Sequence, residues 1–233
     1  MKIALLGYGK MGKTIEKIAL ERNHTIVIKA NQNDVYDISE ADIAIDFSIP
    51  TAAFNNISHC LKHNIPVISG TTGWLENYDE VVNLCTSEKG AFIYASNFSL
   101  GVNIFFELNS TLAKMMNVLK QYNVSIEEIH HTQKLDAPSG TAITLANSII
   151  KEHSAYTSWN LDSDDKDGLQ ISAKRIEGVP GTHQIDYVSD IDSISIKHTA
   201  HSRQGFAIGA VVAAEWLLGK TGVYSMKDVL NIG

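Results

Sequence analysis

The sequence is poor in the features that mark secreted, membrane-bound or nucleic-acid-binding proteins. Its two cysteines, Cys60 and Cys85, have no metal-ligand spacing, and we expect two buried free thiols, with a single disulfide as the alternative. Its 19 basic residues are outnumbered by 26 acidic ones, and the net charge of −7 argues against general nucleic-acid binding. No apolar run is long enough for a membrane span, and the apolar start is too short for a signal peptide. We therefore expect a cytoplasmic protein that binds neither nucleic acid nor membrane.

What the sequence does contain is an alternation of short apolar strands with helical stretches. Strands are predicted at 2–6, 25–30, 41–47, 66–69 and 91–95, and helices at 13–22, 50–62 and 76–85. This alternation predicts an α/β protein whose N-terminal domain, residues 1–99, is a Rossmann-type doubly wound parallel sheet.

The pattern changes after Gly101. A helix is predicted at 102–119, a strand at 124–129 and a helix after Gly140, and the stretches 170–175, 182–188 and 193–198 are predicted to be antiparallel strands with one exposed face. These elements predict a smaller α+β domain, residues 100–204, with a mixed or antiparallel open sheet. The apolar helix at 207–218, within residues 205–233, is expected to pack back on the first domain, and the acidic segment 162–168 is predicted to be a loop.

The first predicted strand leads into a glycine-rich loop, Gly7-Tyr8-Gly9-Lys10-Met11-Gly12. The spacing G-x-G-x-x-G between a strand and a helix allows a tight turn and lets backbone N–H groups approach a pyrophosphate. The loop therefore predicts dinucleotide binding. The alternatives are a flavodoxin-like fold and a purely structural glycine turn.

Two more loops follow predicted strands, Gly70-Thr71-Thr72-Gly73 and Ala95-Ser96-Asn97-Phe98. Each alone is more often a plain turn, but ligands of open α/β sheets bind at the carboxyl ends of the strands. We therefore predict that both loops contribute to the nicotinamide side of the cofactor site.

The acidic residue that usually accepts a hydrogen bond from the cofactor ribose is missing at the end of the second strand, where Asn31 stands and Asp34 comes late. Lys10 and Lys29 are candidates to bind a 2′-phosphate, although a solvated lysine explains both equally simply. The sequence therefore leans towards NADPH, or towards the use of both NADPH and NADH.

The segment 127–141 carries the strongest indication of catalysis. It contains two adjacent imidazoles, His130 and His131, and the ammonium of Lys134, where a predicted strand enters a loop. Ser139 is a good N-cap, and the N–H groups of Gly140 and Thr141 open the next helix, which favours an anion there. Proton donors that face an anion site predict an active site. A metal site is disfavoured, because the histidines have no third ligand at suitable spacing and adjacent strand residues point to opposite faces.

The same segment resembles the signature of the 4-hydroxy-tetrahydrodipicolinate (dihydrodipicolinate) reductase family. The resemblance rests on Glu128 to His131, Lys134 and Asp136 to Ala142, and extends to Gly7–Gly12, Asp46–Ser48, Gly70–Gly73, Asn97–Asn103 and Phe206–Ala210. It implies a two-domain homotetrameric enzyme that reduces a cyclic dicarboxylate with NADH or NADPH in the diaminopimelate pathway of lysine biosynthesis. The second domain would bind the substrate and form the oligomer.

The resemblance also implies residue roles. His130 would be the acid/base histidine and Lys134 the proton donor, while His131, Gly140 and Thr141 contact the substrate. The cofactor would be held by Gly7, Tyr8, Gly9, Lys10, Met11 and Gly12, by Gly70, Thr71 and Thr72, and by Ala95, Ser96, Asn97 and Phe98. No metal is expected.

The sequence departs from the family pattern at two places that concern the cofactor. The glycine loop is one residue shorter than the common form, and Asn31 replaces the ribose-binding acid. Two other classes remain as alternatives, namely another two-domain nicotinamide oxidoreductase, such as an amino-acid or semialdehyde dehydrogenase, and a catalytically inactive NAD(P)-binding regulator. A regulator would have no need for His130, Lys134 and the Ser139-Gly140-Thr141 cap together.

Overall fold

A computed structural model of the protein describes residues 1–162, 168–202 and 204–232. Most of the acidic segment predicted to be a loop, residues 163–167, lies outside the described residues. The chain divides into two compact units, the first formed by Met1–Leu100 with Gln204–Gly233 and the second by Gly101–Arg203.

The described part of the first unit contains a six-stranded, fully parallel sheet, which confirms the predicted Rossmann-type fold. In space the strands follow the order β11-β5-β4-β3-β1-β2. They are β1 (Lys2–Leu6), β2 (Thr25–Ala30), β3 (Ile43–Asp46), β4 (Val67–Ser69), β5 (Ala91–Tyr94) and β11 (Gly222–Tyr224). The helices are α1 (Lys10–Glu21), α2 (Pro50–Lys62), α3 (Tyr78–Ser87), α6 (Gln204–Leu217) and α7 (Met226–Leu230), with 3₁₀ turns at Ile38–Glu40 and Leu75–Asn77.

The sheet is buried on both faces, which explains why its strands are continuously apolar. Successive residues of β1 point to opposite faces, so that Ile3 and Leu5 pack with α1 and α6 while Ala4 and Leu6 pack with α2 and α3. The apolar helix α6 thus supplies one layer of this unit. It approaches the loop after β5 closely, because a Cβ on Gly209 would lie 1.7 Å from the carbonyl oxygen of Phe98.

The sheet of the second unit, over its described residues, has five strands in the order β10-β9-β6-β8-β7. They are β6 (Asn123–His130), β7 (Trp159–Leu161), β8 (Leu169–Arg175), β9 (Gly181–Val188) and β10 (Ser193–Ala200), and the helices are α4 (Leu100–Met116) and α5 (Gly140–Glu152). Strand β9 is antiparallel to both β6 and β10, whereas β8 is parallel to β6 and β7. The sheet is therefore mixed.

The prediction that residues 170–175 form an antiparallel strand is wrong. Alternation of polar and apolar residues shows that one face of a strand is buried, but it does not report the strand direction. The chain leaves β6, crosses through α5 and returns to the same sheet, and a helical crossover of this kind joins parallel strands.

Candidate active site

The glycine-rich loop joins β1 to α1, and each of its glycines is required or tolerated for a different structural reason. Gly7 has φ +97°, and a Cβ there would lie 2.2 Å from the carbonyl oxygen of Phe47. A Cβ on Gly12 would lie 2.3 Å from the carbonyl oxygen of Gly7, so the first turn of α1 rests directly on the loop. The space around Gly9, the N-cap of α1, is open. A loop that is tight at its ends and open at a helix N-terminus fits the pyrophosphate of a dinucleotide.

A cleft of about 490 Å³ opens beside this loop, at the carboxyl ends of β1, β2 and β3. Its lining includes Gly7, Gly9, Asn31, Asp34, Ser48 and Asn56. Within the described chain, the one charged side chain that lines it belongs to Asp34.

The carboxylate of Asp34 folds back to the end of β2, where its Oδ2 atom accepts a 2.7 Å hydrogen bond from the backbone N–H of Asn31. Asn31 in turn accepts a 3.1 Å hydrogen bond from the backbone N–H of Tyr8 through its side-chain oxygen. The turn therefore brings an acid to the end of β2 although the sequence places Asp34 three residues later than expected. Sequence reasoning did not find this arrangement.

The lysines considered for a 2′-phosphate lie elsewhere. The ammonium of Lys29 lies 2.6 Å from Oε1 of Glu16 on α1, and the Tyr8 hydroxyl donates to the other oxygen of that carboxylate. Lys10 is exposed at the start of α1. Neither lysine lines the cleft that holds Asp34.

The loops after β4 and β5 both contact the ring of Phe47. A Cβ on Gly70 would lie 2.3 Å from the ring of Phe47. The centroid of the same ring lies 5.7 Å from that of Phe98, with the two planes tilted by 55°. Thr71 and Phe98 are buried, whereas Thr72 and Ser96 are exposed, with Ala95 and Asn97 half-buried. The exposed members are the ones free to reach a ligand.

A buried carboxylate to which sequence reasoning assigned no role links the loops after β3 and β4. Asp46, at the end of β3, is fully buried and accepts hydrogen bonds from Ser48, Asn56, Ser69 and Thr71 at 2.7–2.9 Å. Burial raises the pKa of Asp46, and these four donors act in the opposite direction.

In the second unit, the catalytic candidates extend from the buried face of β6. Val124, Ile126, Glu128 and His130 alternate on that face, so the core side chains give way to a carboxylate and an imidazole at the end of the strand. His131 follows β6 and is half-buried. Its Nδ1 atom and that of His130 have no hydrogen-bond partner within the described residues.

The start of α5 has the predicted cap. The Ser139 hydroxyl accepts a 3.2 Å hydrogen bond from the N–H of Ala142. Gly140 and Thr141 form the first turn, Gly140 is exposed, and the space around its Cα is open. Their N–H groups lie at a helix N-terminus, where a carboxylate is favoured.

Glu128 connects the histidine strand to this cap. Its Oε2 atom accepts a 3.0 Å hydrogen bond from the N–H of Ser139, and its Oε1 atom lies 3.1 Å from Nη2 of Arg175. The same Oε2 atom lies 3.6 Å from Nδ1 of His130 and 3.7 Å from Nε2 of His183. Sequence reasoning assigned no role to Glu128, Arg175 or His183.

These surroundings set the charge states. Burial alone would raise the pKa of Glu128, but contacts from His183 and Ser139 outweigh it and hold the pKa well below its ordinary value. Burial lowers the pKa of His130 to about 4, although the charge of Glu128 acts in the opposite direction. At neutral pH the site therefore holds an ionised carboxylate and a neutral imidazole.

Glu128, His130 and His183 also offer ligand atoms within 4.8 Å of one another, a distance compatible with one cation. Both carboxylate oxygens, however, already accept hydrogen bonds from Ser139 and Arg175, and a guanidinium repels a metal ion. We therefore interpret this cluster as a hydrogen-bonded network around the loop that follows β6.

Among the described helices, none combines the length and the apolar character that crossing a membrane requires.

Comparison with known proteins matches nearly the whole chain. The model of the N-terminus of dihydrodipicolinate reductase matches residues 1–98, and the model of its C-terminus matches residues 101–230. The chain is 60% identical to the 4-hydroxy-tetrahydrodipicolinate reductase of Christiangramia forsetii and 34% identical to that of Thermosipho africanus, in each case over 99% of this chain and 98% of the relative. It shares its fold with the dipicolinate-bound dihydrodipicolinate reductase of Paenisporosarcina sp. TG-14, with a TM-score of 0.80, 22% identity and 97% of each chain covered.

A Rossmann-type unit with a pyrophosphate-compatible loop, combined with a second unit that carries an imidazole, a lysine and an open helix N-terminus, defines a nicotinamide-dependent oxidoreductase. The chain belongs to the dihydrodipicolinate reductase family.

Proposed function

We propose that the enzyme reduces 4-hydroxy-tetrahydrodipicolinate to tetrahydrodipicolinate in the diaminopimelate pathway of lysine biosynthesis. The observation that carries the proposal is the segment from Glu128 to Thr141, which supplies a neutral imidazole, an ammonium and the N–H groups of a helix N-terminus in a chain of this family. The reaction adds one hydride and one proton to the substrate and releases its 4-hydroxyl group as water.

The bound nicotinamide supplies the hydride, and the remaining steps are assigned to this chain. Negative charge that develops beside the carbon receiving the hydride is neutralised by a proton from Lys134. His130 is neutral at the working pH and acts as the proton-accepting and relaying partner rather than as the primary acid. The N–H groups of Gly140 and Thr141, with the half-buried His131, bind a substrate carboxylate and orient the ring.

The proposed cofactor is NADH in preference to NADPH. The sequence predicts no strong NADH preference, because it lacks an acid directly after β2. The position of Asp34 favours NADH instead, because its carboxylate is suited to accept from a ribose hydroxyl and would repel a 2′-phosphate. Gly7 to Gly12 would hold the pyrophosphate, and the loops at 70–72 and 95–98 would hold the nicotinamide half.

A homotetramer is proposed for the assembly, formed through the second unit. Helices α4 and α5 contribute to its core on one side of the sheet. On the other side a shallow cavity is lined by half-buried polar residues, Ser125, Glu127, Gln170 and Gln184. The outer strand β10 also leaves Ile194 39% exposed. An uncovered sheet face with an open edge is a surface suited to another copy of the chain. Light scattering on the purified protein tests the assignment.

The function is tested by coupled turnover. The purified enzyme should oxidise the reduced cofactor only when the fresh product of dihydrodipicolinate synthase is supplied, and absence of turnover would contradict the proposal. Reduction of the oxidised cofactor by an amino acid or a semialdehyde would favour the other dehydrogenases. A protein that binds cofactor but turns over neither would be a regulator.

The role of Lys134 is tested separately. Lys134→Ala should lower kcat by about 10²–10⁴-fold, the usual contribution of a positioned proton donor, while the cofactor Kd remains unchanged. Equal loss of cofactor binding and turnover would show that Lys134 has a different role.

A further inference from the structure

Arg175, at the end of β8, contacts the loop that carries Lys134 at two backbone carbonyl groups. Its Nη2 atom donates to the carbonyl oxygen of Asp136 at 2.7 Å, and its Nε atom donates to that of Lys134 at 3.3 Å. In the register of the parallel strands β6 and β8, Arg175 pairs with His130, the last residue of β6. Arg175 therefore lies next to the point where the loop begins.

The guanidinium is itself held by a buried acid. Nη2 of Arg175 also lies 3.1 Å from Oε1 of Glu128, a side chain that is fully buried. The other oxygen of Glu128 accepts a hydrogen bond from the N–H of Ser139, at the far end of the same loop. One carboxylate therefore fixes both ends of residues 134–139, the first through Arg175 and the second directly.

We propose that Arg175, oriented by Glu128, is a positioning residue that holds the backbone of the loop so that the ammonium of Lys134 is presented to the substrate. This inference rests on the proposed role of Lys134 as the proton donor. A lysine has a long flexible stem, and proton transfer requires heavy atoms within hydrogen-bond reach. The hydrogen bonds from Arg175 to the carbonyl groups of Lys134 and Asp136 restrict the backbone of the loop. Only the side chain of Lys134 then remains to be positioned. The ammonium is steadied further by Asp136, whose carboxylate oxygens lie 2.8 and 2.9 Å away.

The chemistry of the clamp requires arginine. The planar guanidinium donates to the two loop carbonyl groups, to the carbonyl of Lys174 and to a carboxylate at once through donors in a rigid fork. An ammonium is a single compact charge without that geometry. Arg175→Met keeps the apolar stem and removes every donor, and Arg175→Lys keeps the charge but not the fork.

The test is a double-mutant cycle between residues 175 and 134 in the full-length enzyme. Arg175→Met should lower kcat by about 10²-fold, the cost typical of a misplaced catalytic group, and leave the cofactor Kd unchanged. In the Lys134→Ala background the same substitution should change kcat by less than about threefold, because the group that it positions is already absent. Arg175→Lys should give an intermediate kcat.

Arg22→Met serves as the matched control. Arg22 forms a two-pronged pair with Glu215, with N···O distances of 2.6 and 2.8 Å, so its loss removes an ion pair of the first unit. It should leave kcat unchanged. Hydrogen exchange supplies a second readout: amides at 133–137 should exchange faster in Arg175→Met than in Arg22→Met.

Equal losses of kcat from Arg175→Met in the wild-type and Lys134→Ala backgrounds would overturn the inference, as would an unchanged kcat in the wild-type background. If Lys134→Ala alone retained the wild-type kcat, the proposed role of Lys134 would fail instead. Should Arg175→Met not fold, Arg175→Lys enters the same cycle under the same criterion.

Discussion

The Oδ2 atom of Asp46 accepts a 2.7 Å hydrogen bond from the hydroxyl of Thr71. The Thr71 oxygen also accepts a 2.9 Å hydrogen bond from the N–H of Ser48. Thr71 thereby links the loops after β3 and β4. An apolar replacement would remove one of the four donors to the buried carboxylate and leave the backbone N–H of Ser48 without its partner.

We therefore predict that Thr71→Val lowers the free energy of unfolding by about 1–3 kcal/mol, because the Ser48 N–H loses its acceptor and the buried carboxylate loses one donor. The cofactor Kd should rise as well, because the loop that Thr71 holds is a proposed part of the cofactor site. The matched control is Thr72→Val, at the exposed neighbouring position, which should change stability by less than about 0.5 kcal/mol. Urea unfolding measures the stability of the two variants, and equal losses of stability would contradict the prediction.

Two glycines of the glycine-rich segment, Gly9 at the N-cap of α1 and Gly12 in its first turn, should respond differently to the same added methyl group. Gly12→Ala places a Cβ 2.3 Å from the backbone oxygen of Gly7, so it should destabilise the fold, by about 1–3 kcal/mol. Gly9→Ala enters open space and should leave the melting temperature nearly unchanged, but it should raise the cofactor Kd, because a side chain would stand where the pyrophosphate approaches the backbone. Thermal unfolding and fluorescence titration separate these outcomes. A Gly9→Ala variant with normal cofactor affinity would contradict the proposed cradle.

Much of the first unit could be predicted because local patterns decide it. Strand β2 and helix α2 occur at the predicted residues 25–30 and 50–62. Helix α1 begins at Lys10, three residues before the predicted Lys13. Gly12 lies inside its first turn, because this glycine packs closely against the backbone of Gly7. The short elements β11 and α7 were not predicted. Strand β11 is three residues long and follows from pairing with β5, a contact distant in sequence.

The candidate site was predictable only where its signal is local. Ser139 and Gly140 predict the start of a helix, and the adjacent histidines indicate the loop that carries the candidate catalytic residues. Arg175 and His183 come from β8 and β9, so only the sheet register places them beside Glu128 and His130. One local indication was present, since alternation from Val124 and Ile126 puts Glu128 on the buried face. A buried carboxylate requires donors or a counter-charge from elsewhere in the chain.

The lowered pKa of His130 predicts a pH dependence of stability. The imidazole titrates near 6.5 in the unfolded chain and at about 4 in the folded protein. Between these values the unfolded state binds more protons, so the contribution of His130 to stability rises with pH from 4 to 6.5 and is lost as the pH falls. In His130→Gln the difference in unfolding free energy between pH 6.5 and pH 4.5 should be smaller than in the wild type. Urea unfolding at the two pH values measures this, and an identical difference in both proteins would show that His130 is not a buried neutral imidazole.

Asp34 should decide the choice of cofactor. Its carboxylate lines the cleft at the end of β2 and would repel a 2′-phosphate, so the wild type should have a higher kcat/KM with NADH than with NADPH. Asp34→Asn removes this charge and should raise the kcat/KM for NADPH about tenfold, equivalent to about 1.4 kcal/mol. The matched control is Asp37→Asn, which makes the same charge change at an exposed residue that caps the next 3₁₀ turn through Ser39, where asparagine caps equally well. Asp37→Asn should leave the NADH to NADPH ratio unchanged. A wild type that prefers NADPH, or a ratio that responds equally to both substitutions, would assign cofactor choice to residues other than Asp34.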